Sequence, residues 1–180
     1  MNGKSQIALA PDAIARSVKR IAREISERNG GPDNLVLIGI IRRGANLAER
    51  IARDLKESLG RAIPVGTLDI SSYRDDGKGA SGDPRLLGRN IPFTLDGRRI
   101  VLVDDVLYTG RTVRAALEAL SNLGHAESVQ LAVLVDRGER ELPIRADYVG
   151  KNVTAPKGHR VYVRLAETDG ADAVVISESK

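Results

Sequence analysis

Cysteine is absent from the 180 residues, which excludes disulfides and thiolate metal sites. Aromatic residues are nearly as scarce. Tryptophan is missing, phenylalanine occurs once and tyrosine four times, so the core must be built from Val, Ile, Leu and Ala, as suits a parallel sheet with helices on both faces. No apolar run approaches the ~18 residues of a membrane-spanning helix. Residues 1–20 also lack the apolar stretch of a secretory signal, so a cytoplasmic protein without membrane contact is expected. The two histidines, His125 and His159, have no metal-ligand spacing. The absence of a G-x-x-x-x-G-K-[ST] run argues against a P-loop kinase or NTPase.

What is present fits one ordinary domain over residues 1–180, because 42% hydrophobic residues are enough for a core and neither a repeat nor a linker divides the chain. The formal charge of +4 allows a polyanionic partner without requiring one. The most informative stretch is Arg99 to Val113. Ile100 to Val103 read as a strand covered on both faces, ending at Asp104 and Asp105. Thr109-Gly110-Arg111-Thr112 then precede a strong helix-forming run, Ala115 to Leu120. A helix start offers unpaired N–H groups and a positive dipole end, so this loop suits a phosphate. Two adjacent carboxylates suit a pair of hydroxyls nearby, and a ribose 5-phosphate carries both groups. Capping is the more ordinary task of a single Asp, but two uncompensated carboxylates behind four apolar residues need a partner.

Other segments fall in around this one. Residues 12–28 read as an amphipathic helix, apolar at Ile14, Val18, Ile21 and Ile25, with Arg16, Lys19, Arg20 and Arg23 sharing another face and Arg28 near its end. For a lone helix a solvated surface is the preferred account of that face, and Glu24 and Glu27 offset some of its charge. Leu35 to Ile40 read as a strand leading into Ile41-Arg42-Arg43-Gly44-Ala45, a second anion loop ahead of a helix marked by Leu47, Ile51 and Leu55. Val65 to Ile70 form the next strand. The polar stretch from Ser71 to Asn90 is long enough to be a lid. Its Gly77-Lys78-Gly79-Ala80-Ser81-Gly82 matches G-x-G-x-x-G formally, but Asp83-Pro84 follow where a dinucleotide site needs a helix. Val129 to Val135 deliver Asp136 and Arg137 to the same sheet edge, where a simple ion pair is as good a reading as a ligand contact. Gly124 is placed to cap the helix after the central loop. Tyr148 to Gly150, Val161 to Leu165 and Ala173 to Ile176 read as further strands, extending the sheet into a small hood.

Val101 to Val113 resemble the phosphoribosyl-pyrophosphate motif of type I phosphoribosyltransferases. Together with Leu134-Val135-Asp136-Arg137-Gly138 and Glu141 to Asn152, they resemble the family of bifunctional pyrimidine-operon regulators that are also uracil phosphoribosyltransferases. The resemblance runs from about Ile14 to the last strand. It implies an α/β fold with a mostly parallel sheet, a hood and a flexible catalytic loop beginning at Tyr73-Arg74-Asp75-Asp76. It implies conversion of uracil and phosphoribosyl pyrophosphate to UMP and pyrophosphate, with Asp104, Asp105 and Arg74 catalytic. Arg42, Arg43, Val106, Leu107, Tyr108, Thr109, Gly110, Arg111, Thr112, Arg137 and Val161 would bind substrate, and Mg²⁺ would sit at Asp104 and Asp105, directly or through substrate. The resemblance also implies UMP-responsive binding of pyrimidine-operon leader mRNA, not DNA, for which Lys19, Arg20, Arg23, Arg28, Arg140, Arg145 and Lys151 are the candidates, and an oligomer of identical chains. Where the family more often has Thr-Arg-Gly this chain has Arg42-Arg43-Gly44, and Lys19 and Arg23 stand where Thr and His are frequent. The alternatives are transfer to another base without RNA binding, because the central motif reads only ribose phosphate, and a regulator with vestigial catalysis.

Overall fold

A computed structural model describes residues 5–71 and 89–179. In chain order the elements are β1 (Gln6–Leu9), α1 (Pro11–Asn29), β2 (Leu35–Ile40), α2 (Arg43–Leu59), β3 (Val65–Leu68), β4 (Arg89–Asn90), β5 (Arg99–Leu107), α3 (Arg111–Leu123), β6 (Ser128–Asp136), β7 (Tyr148–Asn152), β8 (His159–Arg164), α4 (Ala166–Asp169) and β9 (Ala173–Glu178). Six strands form one sheet in the order β4-β3-β2-β5-β6-β7. All its neighbours run parallel except β4, which pairs antiparallel to β3 through Thr67↔Asn90 and Leu68↔Arg89.

The aliphatic composition works through alternation inside unbroken apolar runs. Leu35 and Leu37 of β2, Val101 and Val103 of β5, and Ala132 and Leu134 of β6 face α1 and α2. Their chain neighbours Val36, Ile38, Ile100, Leu102, Leu131 and Val133 face α3. Successive strand side chains point to opposite faces, so a run with no polar position is what a doubly covered strand requires. Each helix is stopped locally: α1 ends at Gly30 (φ +63°) and α2 at Gly60 (φ +68°), both left-handed. Gly124 also follows its helix but is extended, at φ 164°. There it allows a close approach, since a Cβ would lie 3.1 Å from both Leu95 and Asp96.

Two expectations need correction. The carboxyl-terminal strands do not all extend the main sheet: β7 does, but β8 and β9 join β1 in a separate antiparallel sheet ordered β1-β9-β8, the hood. Nor does β5 end at Val103. It continues to Leu107, pairing Asp104↔Val133, Val106↔Val135 and Leu107↔Asp136, because β6 is long enough to supply backbone partners past the point where the apolar run gives out.

Candidate active site

The extended β5 carries both carboxylates inside the strand, near its carboxyl end. Asp104 is buried, at 6% exposure, and its Oδ1 accepts from Asp105 N at 2.9 Å. Asp105 is half-buried, its Oδ1 accepts from Val106 N at 2.8 Å, and it lines a cleft of about 580 Å³ with Arg43 and Val161. The cleft lies between the sheet edge and the hood. Three residues chosen from distant parts of the sequence therefore meet in one place.

The loop after β5 is shaped as an anion cradle. Gly110 sits at the N-cap of α3 with φ +94°, a left-handed conformation natural to glycine, and no side chain caps the helix. The first N–H groups of α3 have no intrahelical acceptors, although Thr109 Oγ1 accepts from Arg111 N at 3.3 Å. Beneath the loop lies the segment after β6. Thr109 O accepts from Glu141 N at 2.9 Å and Leu142 N at 3.1 Å, and a Cβ on Gly110 would come within 3.3 Å of Leu142 and 3.4 Å of Ile144. Arg111 Nε donates to Glu141 Oε2 at 2.6 Å. Glu141 has no local sequence signal for this task, since its partner stands thirty residues earlier.

Asp136 and Arg137 take separate ion-pair partners, Arg140 and Glu139 respectively. Asp136 accepts from Arg140 at 2.5 Å and from Gly138 N at 2.9 Å. Burial pushes its carboxyl up, yet those two donors hold it below the usual range. Arg137, at 9% exposure, lies over the Tyr108 ring at 4.0 Å. It donates to His159 O at 3.2 Å and Glu139 Oε2 at 3.1 Å, while its buried Nε has no partner among the described residues. An unmatched buried donor costs about 1–3 kcal/mol. Arg137 and Tyr108 line a second cavity of about 560 Å³ with Lys157, His159 and Arg160.

The arginine loop approaches β5 through glycines. A Cβ on Gly39 would lie 2.4 Å from Ala45 Cα, and one on Gly44 would lie 2.5 Å from Val103 O and 3.2 Å from Asp104 Cα. Only residues without side chains allow this loop to pack against the carboxylate strand. Arg42 is exposed at the turn, and a cis peptide joins it to Ile41. Arg43, the first residue of α2, makes paired hydrogen bonds to Asp169 of the hood, at 3.0 and 2.8 Å. These hydrogen bonds raise its pKa. Asn46 reaches Thr168 at 2.7 Å, and Arg50 bonds both Glu167 and Asp172 at 2.6 to 2.8 Å. Positions 43, 46 and 50 lie on one face of α2, so the hood is strapped to the helix that begins at the anion loop. Arg74, like the rest of the expected lid from 72 to 88, lies outside the described residues.

Of the basic residues, Lys19, Arg20, Arg23 and Arg28 are exposed along α1, and Arg145 and Lys151 near β7. Arg20 donates to Val149 O at 3.0 Å and Gly150 O at 2.6 Å, beside Lys151. Arg28 pairs with Asp147 at 2.8 Å and lies 5.7 Å from the Tyr148 ring. These contacts hold Arg20 and Arg28 of α1 against β7 and the residue before it, with Arg20 also paired to Glu24 at 2.8 Å. Arg140 is hydrogen-bonded to Tyr108 O in the loop after β5 and to Asp136 at the end of β6.

No group of three or more His, Asp or Glu able to hold a metal occurs among the described residues. Of the two carboxylates, Asp105 at the cleft fits the other manner that Mg²⁺ uses, one carboxylate completed by water and substrate oxygens, whereas Asp104 is buried on the alternate face of β5.

The six-stranded sheet with its separate hood, the glycine-opened start of α3 and the paired carboxylates on β5 are thus features of one fold. The phosphoribosyl transferase domain profile matches residues 6–164. The chain is similar to the bifunctional protein PyrR of Pelotomaculum thermopropionicum, at 57% identity over 98% of this chain and 97% of that one. It is similar to those of Chloroflexus aurantiacus, at 56% over 98% and 96%, and Deinococcus radiodurans, at 55% over 97% and 95%. It belongs to the bifunctional PyrR family of phosphoribosyltransferases. Among solved structures, hypoxanthine phosphoribosyltransferase of Trypanosoma cruzi superposes with a TM-score of 0.73 at 20% identity, covering 97% of each chain. At that identity the likeness concerns the fold alone.

Proposed function

We propose that the chain transfers the 5-phosphoribosyl group of phosphoribosyl pyrophosphate to N1 of uracil, releasing pyrophosphate, and that the product UMP, held in the same site, governs binding of pyrimidine-operon leader mRNA. The class of reaction follows from family membership. The observation that carries the reading is the Tyr108–Thr112 cradle opening α3 immediately after Asp104 and Asp105. Breaking the anomeric C–O bond builds positive charge on the ribose ring and negative charge on the leaving group, and holding those charges is most of the task.

In this reading the cradle anchors the 5-phosphate, and Asp105, facing the cleft, binds ribose hydroxyls while its charge lies near the developing cation. Asp104, buried behind it, orders the Asp105 backbone. Arg42 takes the leaving pyrophosphate at the loop. Arg43 can join only by sharing or exchanging its Asp169 partner. Mg²⁺ held by Asp105 and substrate oxygens would neutralise pyrophosphate charge. Arg137 and Tyr108, stacked at the second cavity, border the space for the base or its ribose. The same pocket binds UMP because product and substrate share the ribose 5-phosphate.

The RNA reading rests on the exposed basic residues of α1, to which Arg145 and Lys151 near β7 add, since RNA affinity leans on phosphate neutralisation. No helix among the described residues is long and apolar enough to cross a membrane, in keeping with a cytoplasmic site of action on mRNA. An assembly of identical chains is part of the proposal. Initial rates with phosphoribosyl pyrophosphate and Mg²⁺, comparing uracil, hypoxanthine and orotate as acceptors, test the enzyme. A preference for uracil of at least about a hundredfold, ~2.7 kcal/mol in transition-state binding, is expected. Equal or greater rates with either other base would overturn the assignment of uracil.

A further inference from the structure

Arg140 reads in the sequence as one more cation of the basic surface, but its surroundings give it another task. Its side chain is 22% exposed. Nε donates to Ile144 O at 2.9 Å, Nη1 to Tyr108 O at 3.0 Å and Gly138 O at 3.4 Å, and Nη2 to Asp136 Oδ2 at 2.5 Å. All three guanidinium nitrogens thus donate within the protein, to the end of β6, the following turn, the 141–147 segment and the phosphate loop. We infer that Arg140 is a positioning residue for the 5-phosphate, holding the loop N–H groups toward the ligand rather than itself contacting RNA or substrate. This inference rests on the phosphoribosyl reading of the site.

The argument runs through peptide geometry. In a planar trans peptide the C=O and N–H point in opposite directions, and the only cis bond among the described residues is Ile41–Arg42. Arg140 draws the Tyr108 carbonyl toward the 138–144 segment, so the N–H of Thr109 points away from it. Glu141 N and Leu142 N draw the Thr109 carbonyl the same way, so the N–H of Gly110 points away too. Both donors are thereby turned away from the 138–144 segment, as a phosphate held by this loop requires. The tether needs a flat fork that reaches acceptors in several directions at once, which a lysine ammonium cannot provide. Its anchor, Asp136, stays ionised for the same reason that Arg140 is fixed, because each is the other's partner.

The test compares Arg140→Lys and Arg140→Gln with the intact chain. Binding of UMP and of uridine is measured by calorimetry, KM and kcat by initial rates, and folding by thermal unfolding. Both variants should raise KM for phosphoribosyl pyrophosphate about tenfold while leaving KM for uracil within about twofold. UMP affinity should fall about tenfold relative to uridine, because only UMP carries the phosphate. The inference is overturned if UMP and uridine weaken equally, which is general damage, or if Arg140→Lys retains wild-type KM. It is also overturned if the UMP-to-uridine ratio is unchanged while the salt dependence of RNA binding drops by about 0.7 in log–log slope, the mark of a lost phosphate contact. Should the intact chain transfer nothing to uracil, the proposed reaction fails, and the UMP-to-uridine ratio still decides the role of Arg140.

Discussion

At the scale of single residues, the two carboxylates and the glycines beside them do different work. Asp105 faces the cleft and Asp104 is buried behind it, so Asp105→Asn should lower kcat/KM at least tenfold, a loss of ~1.4 kcal/mol of transition-state stabilisation, without changing the unfolding midpoint. Unchanged kcat/KM in the folded variant would remove Asp105 from the mechanism. Gly44→Ala should act differently. Its Cβ would meet Val103 O at 2.5 Å, so the arginine loop must shift away from β5, costing about 1–3 kcal/mol of stability as overpacking does and lowering activity together with it. Full activity and stability in that variant would show that the close approach is dispensable. The sequence makes Asp104, Asp105 and Gly110 legible, because an apolar run meeting paired acids and then a glycine at a helix start is a local pattern. Glu141 and the tether from Arg140 to Tyr108 are not local. They join positions about thirty residues apart, and a lone Glu or Arg in a polar loop carries no mark of its partner.

At the scale of elements, the hood depends on ion pairs along one face of α2. Arg50 is 16% exposed and holds both Glu167 and Asp172. Its hydrogen bonds keep both carboxyls below their ordinary values. Because their folded pKa values are depressed, the stabilisation is fully present above the unfolded values of about 4 and is lost as pH falls through the lowered folded ones. Amide exchange in β8 and β9 should therefore accelerate, relative to β5 and β6, as pH is lowered below about 4, after correction for intrinsic rates. Arg50→Met should produce the same selective acceleration at neutral pH by at least about tenfold, ~1.4 kcal/mol of local opening. Uniform exchange across hood and sheet in both experiments would deny the strap. The bounds of α1 and β2 are legible to within a residue, whereas α2 begins at Arg43, inside the Ile41–Ala45 stretch read as a loop. The hood's separate pairing is not legible, because β8 and β9 look like any half-buried strand until a partner is chosen. The true end of β5 is also hidden, since Asp104 and Asp105 are poor strand residues kept extended by β6.

At the scale of the whole molecule, the exposed basic residues of α1 and the β7 region, and the nucleotide site, belong to one chain whose proposed tasks are coupled. RNA binding should weaken with salt at a log–log slope of about −0.7 per neutralised phosphate. Lys19→Gln, Arg23→Gln, Arg145→Gln and Lys151→Gln should each reduce that slope, leaving uracil transfer within about twofold of the intact chain. A slope untouched by all four would leave the surface merely solvated. The central claim, that one pocket serves both catalysis and sensing, is tested most directly by a reciprocal titration: leader RNA into protein with and without UMP, and UMP into protein with and without leader RNA. UMP should tighten RNA binding, and RNA should tighten UMP binding by the same factor, because the coupling free energy is shared. RNA affinity indifferent to saturating UMP, in a protein that makes UMP from uracil, would contradict it.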